Sequence, residues 1–143
     1  MLCAHVLYHI DAADWMVHLE RLASWLSLDG VLVMVLQHRE SDCMQMLQHF
    51  FGRRFDLTPL ARAFQGEKGE RYEVAIETVP AHVTTLDFDS AYTVAELMLN
   101  ALPMSNPPAR SDLEEYVRRH FTCREGGFRF SCDQDFLQIR PQK

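Results

Sequence analysis

The apolar positions change their period along the chain, and the changes mark the elements. Met1–Ala4 is a short apolar stretch followed by His5-Val6-Leu7-Tyr8-His9-Ile10, which reads as the end of a buried strand running into a loop. Asp11 is a good helix N-cap. After it Ala12, Trp15, Met16, Leu19, Leu22, Ala23 and Leu26 recur at spacings of three and four residues. That is the period of an amphipathic helix of roughly four to five turns. Asp29-Gly30 closes it, with Gly30 suited to the left-handed cap conformation. Val31-Leu32-Val33-Met34-Val35-Leu36 has no polar alternation, as a strand covered on both faces requires. Strand, helix and buried strand make a βαβ unit, for which a right-handed crossover is expected.

Further along, Ser41 and Asp42 open a helix carrying Met44, Leu47 and Phe51. A short helix over Leu57 to Phe64 tolerates Pro59 in its first turn, and Gln65 to Glu70 reads as a polar turn. Tyr72 to Val79 sets Tyr72, Val74 and Ile76 against Glu73, Ala75 and Glu77, a strand with one wetter face. Pro80 to Asp89 is expected as loop, its middle able to extend the strand. Ala91 to Leu102 has helical spacing, with Val94, Ala95, Met98 and Leu102 turned inward. Pro103 to Pro108 breaks the chain. Ser111 with Glu114 forms a capping-box pattern for a helix reaching Phe121. Gly126-Gly127 turns the chain into a last strand, Phe128 to Ile139, bulged near Cys132-Asp133. The pattern predicts a single α/β domain over 1–143, without repeats or low-complexity tracts.

Composition narrows the function. The chain has 143 residues, 48% of them apolar, so it can bury a real core and is not expected to be disordered. A net charge of -6 gives no general attraction for nucleic acid or anionic lipid. The pairs Arg53-Arg54 and Arg118-Arg119 read as solvated helix surface. Cys3, Cys43, Cys123 and Cys132 form no C-x-x-C pair, which disfavours a disulfide framework or a zinc site and fits free thiols in a reducing cytoplasm. No basic region precedes the apolar start, so a signal peptide is not expected, and no apolar run approaches membrane-spanning length.

Several strings resemble the second half of a class I S-adenosylmethionine (SAM)-dependent methyltransferase. His5-Val6-Leu7-Tyr8-His9-Ile10 with Trp15 looks like the segment after the fourth strand. Trp25-Leu26-Ser27-Leu28-Asp29-Gly30-Val31-Leu32-Val33 looks like the passage from a helix into the fifth strand. Phe130-Ser131-Cys132-Asp133-Gln134-Asp135-Phe136-Leu137 resembles the last strand. The chain is most similar to the branch of small-molecule N-methyltransferases that includes histamine N-methyltransferase. The resemblance implies a partial Rossmann-like sheet of parallel strands with a late antiparallel strand, flanked by helices. It also implies a small-molecule acceptor and SAM as methyl donor. The Gly-rich turn that lets backbone N–H groups approach such a cofactor, and the carboxylate that takes its ribose, are not in this sequence. The chain is therefore expected to begin at the fourth strand, without the amino-terminal SAM-binding segment.

In open α/β sheets ligands bind outside the carboxyl ends of the strands. Ala4 and His5 fall there, and by the resemblance they line the cofactor's methionine end and the acceptor. A neutral His5 suits proton removal from an acceptor; the plainer alternative is a histidine that caps a strand end. Tyr8 and His9 are acceptor-contact candidates, an aromatic face beside a sulfonium giving cation–π stabilisation, with packing against the Trp15 helix as the alternative for Tyr8. His5 and His9 lie four apart, but no third ligand shares their spacing, so no metal site is expected. Cys132 resembles another acceptor contact, or is a buried small side chain. No Gly-x-Ser-x-Gly elbow is present. Two functions follow: the acceptor-side part of a methyltransferase, inactive alone, or a non-catalytic module using the same fold to associate. An uncovered first strand predicts a homo-oligomer.

Overall fold

In the computed structural model, which describes residues 1–100, 106–123 and 126–142, the chain opens with β1 (Leu2–Ala4). Two 3-10 turns follow, Leu7–His9 and Ala12–Asp14. Asp11 does cap, accepting the Ala13 N–H at 3.0 Å, but it caps the second of these turns. The helix proper, α1 (Trp15–Ala23), is shorter than its apolar period suggests. It ends where the Ser24 hydroxyl donates to the Arg21 carbonyl at 2.7 Å. Gly30 is not left-handed. Its missing side chain matters because a Cβ would lie 3.0 Å from the Ser27 carbonyl oxygen.

β2 (Leu32–Gln37) is the expected buried strand. Ser41 caps α2 (Asp42–Phe51) by accepting the Met44 N–H at 3.2 Å. The next helix, α3 (Thr58–Lys68), carries Pro59 in its first turn and absorbs most of the segment expected as a polar turn. β3 (Tyr72–Val79) matches its pattern, although Ile76 is 39% exposed. Within the expected loop lies β4 (His82–Thr85). α4 (Phe88–Asn100) buries Ala91, Ala95 and Leu99; Leu102 and the first half of the proline-rich break lie outside the described residues. α5 (Arg110–Phe121) starts without the capping box. Its Glu114 pairs with Arg110 at 2.7 Å instead. The last strand is divided into β5 (Phe128–Ser131) and β6 (Gln134–Pro141).

The division has a local cause. Pro80 has no N–H to give a ladder, and the Asp133 carboxylate takes the next donor, the Ala81 N–H, at 2.9 Å. Cys132 therefore stands between two strands rather than within one. The described residues cluster into two compact units, 1–38 with 55–79 and 134–143, and 39–54 with 80–133.

The first unit holds a four-stranded sheet of order β1-β2-β6-β3. β1 runs parallel to β2, and β6 lies antiparallel between β2 and β3. This is the expected α/β arrangement of parallel strands with a late antiparallel strand. Leu19, Leu32, Met34, Leu57, Phe64, Leu137 and Ile139 are fully buried there. Each such side chain contributes about 1.5–3 kcal/mol through removal of apolar surface from water. β1 is an edge strand, and its Leu2 is 70% exposed rather than buried.

The second unit pairs β4 with β5 as an antiparallel ribbon. Asp42 and Ser131 exchange two hydrogen bonds that fix the start of α2 on β5. The Asp42 N–H donates to Ser131 Oγ at 2.9 Å, and the Ser131 N–H donates to Asp42 Oδ2 at 2.6 Å. Phe121 stacks on Phe130 with ring centroids 4.4 Å apart. Burial and the nearby Asp42 charge push the Tyr116 hydroxyl up to about 12.

Candidate functional site

Parallel strands place their carboxyl ends on one edge of a sheet, and β1 and β2 do so here. Ala4 ends β1 and is exposed. His5 prolongs the ladder by one bond, its N–H donating to the Val35 carbonyl at 2.9 Å. It then takes φ 57°, the left-handed region, and is the one described non-glycine residue to do so. Crowding of Cβ against the carbonyl makes this conformation costly, about 1–2 kcal/mol. Strain of that kind persists where neighbours enforce it, commonly at ligand sites. The neighbour here is Tyr8, whose ring stacks on His5 with centroids 5.7 Å apart and planes 22° apart. Loss of water around the His5 ring holds its imidazole below the usual value of 6.5.

Tyr8 is buried, and its hydroxyl accepts the Gln37 N–H at 2.9 Å. A side chain following β1 thus satisfies the last backbone donor of β2. Behind it stand Phe55, edge-on to Tyr8 at 5.0 Å, and Trp15, stacked on Phe55 at 6.1 Å. The Trp15 indole N–H donates to the Ile10 carbonyl at 3.1 Å. The packing reading of Tyr8 has its structural counterpart in this aromatic row, and the ring also meets His5. His9 is exposed in its 3-10 turn. Cys132 belongs to the second unit, where its N–H donates to the Ala81 carbonyl at 2.9 Å and burial raises its thiol.

The same sheet edge carries a polar group that sequence reasoning missed. His38 follows β2 directly. Its Nδ1 lies 2.9 Å from Asp135 Oδ1, and the Thr78 hydroxyl donates to that same oxygen at 2.6 Å. The strand register explains the convergence: Leu36, Asp135 and Thr78 are partners across β2, β6 and β3. The Asp135 side chain is 3% exposed and that of His38 28%. Gln37, at the end of β2, is buried too. Two signals were present in the sequence: Gln37-His38 as an abrupt polar end to an apolar run, and Asp135 beside Phe136 in an otherwise strand-like segment. Neither reveals its partner without the register. Among the described residues no group of three or more His, Cys, Asp or Glu side chains could hold a metal ion, and no helix is long and apolar enough to cross a membrane.

No protein-family model and no curated protein matches the chain. Among solved structures it is similar to one described as a "putative methyltransferase" from Bacillus halodurans, with a TM-score of 0.48 and 15% identity. The match covers 97% of this chain and 62% of that one. The chain thus spans less than two thirds of the neighbour's length, and so distant a likeness assigns no activity.

Proposed function

We propose that residues 1–143 are the acceptor-side part of a SAM-dependent small-molecule methyltransferase of the cytoplasm, transferring to an amine or a hydroxyl. The observation that carries this reading is the gathering of His5, Tyr8, Gln37 and the His38–Asp135–Thr78 group where β1, β2 and their antiparallel neighbours present one edge. Ligands of open α/β sheets bind at the carboxyl ends of such strands. In this reading Ala4 and His5 border the methionine end of the cofactor. His5, Tyr8 and His9, all in the first unit, are the acceptor contacts, and His5 contributes to catalysis.

The residues fit only part of a SAM molecule. The stacked His5 and Tyr8 rings offer an aromatic wall to a sulfonium. The adjacent glycines of the chain, Gly126 and Gly127, lead into β5 of the second unit and not out of a strand of the main sheet. No Gly-rich cradle for the nucleoside is formed by these residues. SAM supplies the methyl group; the side chains named here orient the acceptor and accept a proton, and orientation alone lowers a bimolecular barrier substantially.

Calorimetric titration of the 143-residue chain with SAM is expected to show a dissociation constant above about 1 mM, equivalent to roughly −4 kcal/mol or weaker. Micromolar, stoichiometric binding would overturn the partial-site reading. In any longer form that completes the cofactor site, transfer of labelled methyl from SAM to a panel of small amines and phenols is expected, with His5→Ala lowering turnover more than SAM affinity. Absence of transfer to every acceptor would favour the second reading, a non-catalytic module that associates through its β-edge. That alternative rests on the exposure of Leu2 along β1.

A further inference from the structure

We propose that His38 is the proton acceptor of this site, with Asp135 holding its ring and Thr78 holding Asp135. The inference rests on the methyltransferase reading and narrows it to acceptors that must shed a proton, a hydroxyl or an ammonium-bearing amine.

Two donors converge on one oxygen, Asp135 Oδ1: the Thr78 hydroxyl at 2.6 Å and the His38 ring at 2.9 Å. An oxygen so used is an acceptor, so the hydrogen in the second contact belongs to His38 Nδ1. In a neutral imidazole the other nitrogen, Nε2, then keeps its lone pair and is the basic atom. The burial of Asp135 sharpens the point. A carboxylate 2% exposed near the end of a strand ladder is costly unless it is satisfied, and a β-branched apolar residue would fill the same position without that cost. Its two hydrogen bonds serve to fix one histidine ring in one tautomer. The ring itself is 28% exposed, so it reaches solvent while its partner does not. A histidine oriented by a buried carboxylate is a recurring arrangement of general-base sites. His5, by contrast, has no carboxylate contact among its described interactions, and its ring is occupied by stacking on Tyr8.

The step balances as follows. An ammonium first gives its proton to His38 Nε2, which frees the nitrogen lone pair; a hydroxyl gives its proton to Nε2 as it attacks. The acceptor's lone pair would then form the bond to the methyl carbon while the methyl–sulfur bond breaks and its electrons remain on sulfur. Asp135 compensates the imidazolium charge, and the exposed ring returns the proton to water.

Long-range 1H–15N NMR on the labelled chain reads the tautomer without any turnover. A neutral Nδ1–H form is expected at His38, with mixed tautomers in Asp135→Asn. An Nε2–H form in the wild type would overturn the proposal whatever the activity. In any longer form that transfers methyl, His38→Gln is expected to lower kcat by roughly a hundredfold or more, with little change in KM. His38→Ala should regain turnover on addition of imidazole. Wild-type transfer that persists undiminished in His38→Gln would sink His38 as the base and leave the methyltransferase reading standing. Wild-type protein that transfers methyl to no acceptor would sink both. Amide spectra of each variant, with Asp135→Asn as a second route to the same defect, separate loss of the base from loss of the fold.

Discussion

His5 shows how one backbone torsion can set a side chain's chemistry. Its left-handed φ turns the chain sharply after β1, and the turn brings the imidazole onto Tyr8. The residue stays exposed as a whole, but partial loss of water around the ring disfavours its charged form and lowers its pKa. A chemical-shift titration should therefore give His5 a midpoint below 6.5. The sign for stability follows from linkage. Protonation favours the unfolded chain, so His5 costs nothing above its unfolded value, and stability falls as pH drops from there through the lower folded value. His5→Gln should flatten that acid limb; a midpoint above 6.5 would contradict the desolvation of the ring. Tyr8 makes a second residue-scale test. Tyr8→Phe keeps the aromatic row and removes the acceptor of the buried Gln37 N–H. Leaving a buried donor unmade costs about 1–3 kcal/mol, readable as a shift in urea midpoint at unchanged slope.

Helices and strands can be tested with glycine. Gly66 lies within α3 and a Cβ there would meet nothing within 4 Å, so Gly66→Ala should stabilise by about 0.5–1 kcal/mol through helix propensity. Gly127 has φ 74° and a Cβ would fall 2.7 Å from the Thr85 carbonyl oxygen. Gly127→Ala should therefore destabilise by more than about 1–2 kcal/mol. Denaturant melts of the two variants must shift in opposite directions. Most elements were legible because their signal is local: the apolar run of β2, the alternation of β3, the Ser41 cap, the glycines before β5. The errors arose where a remote partner decided the outcome. Ser111 and Glu114 have capping-box spacing, but Arg110 joins the helix and takes Glu114, while the Ser111 hydroxyl turns to Asp112. β4 was half-seen because its ladder to β5 is set 43 to 49 residues away. The site divides in the same way. His5 and Tyr8 were readable from their place after the first strand, but His38 and Asp135 stand 97 residues apart and meet only through the β2–β6 register.

For the whole molecule, the arrangement of the main sheet leaves β1 bonded on one side, with Leu2 70% exposed and Met1 49% exposed. No lysine, proline or glutamate blunts that edge, and such edges template pairing with another chain. The 143-residue chain is expected to sediment as a dimer or larger species at low micromolar concentration, and Leu2→Lys to shift it toward monomer. A stable wild-type monomer would show that the edge is protected by other means. The division into two units has a mechanical corollary. The backbone passes from one unit to the other at 38/39, 54/55, 79/80 and 133/134. His38 stands at the first of these passages, Thr78 one residue before the third and Asp135 one residue after the fourth. Three of the four places where the chain leaves the first unit are thus joined by one group of hydrogen bonds. The bonds that hold the histidine ring in place therefore also pin the backbone of that unit at three of its loose ends.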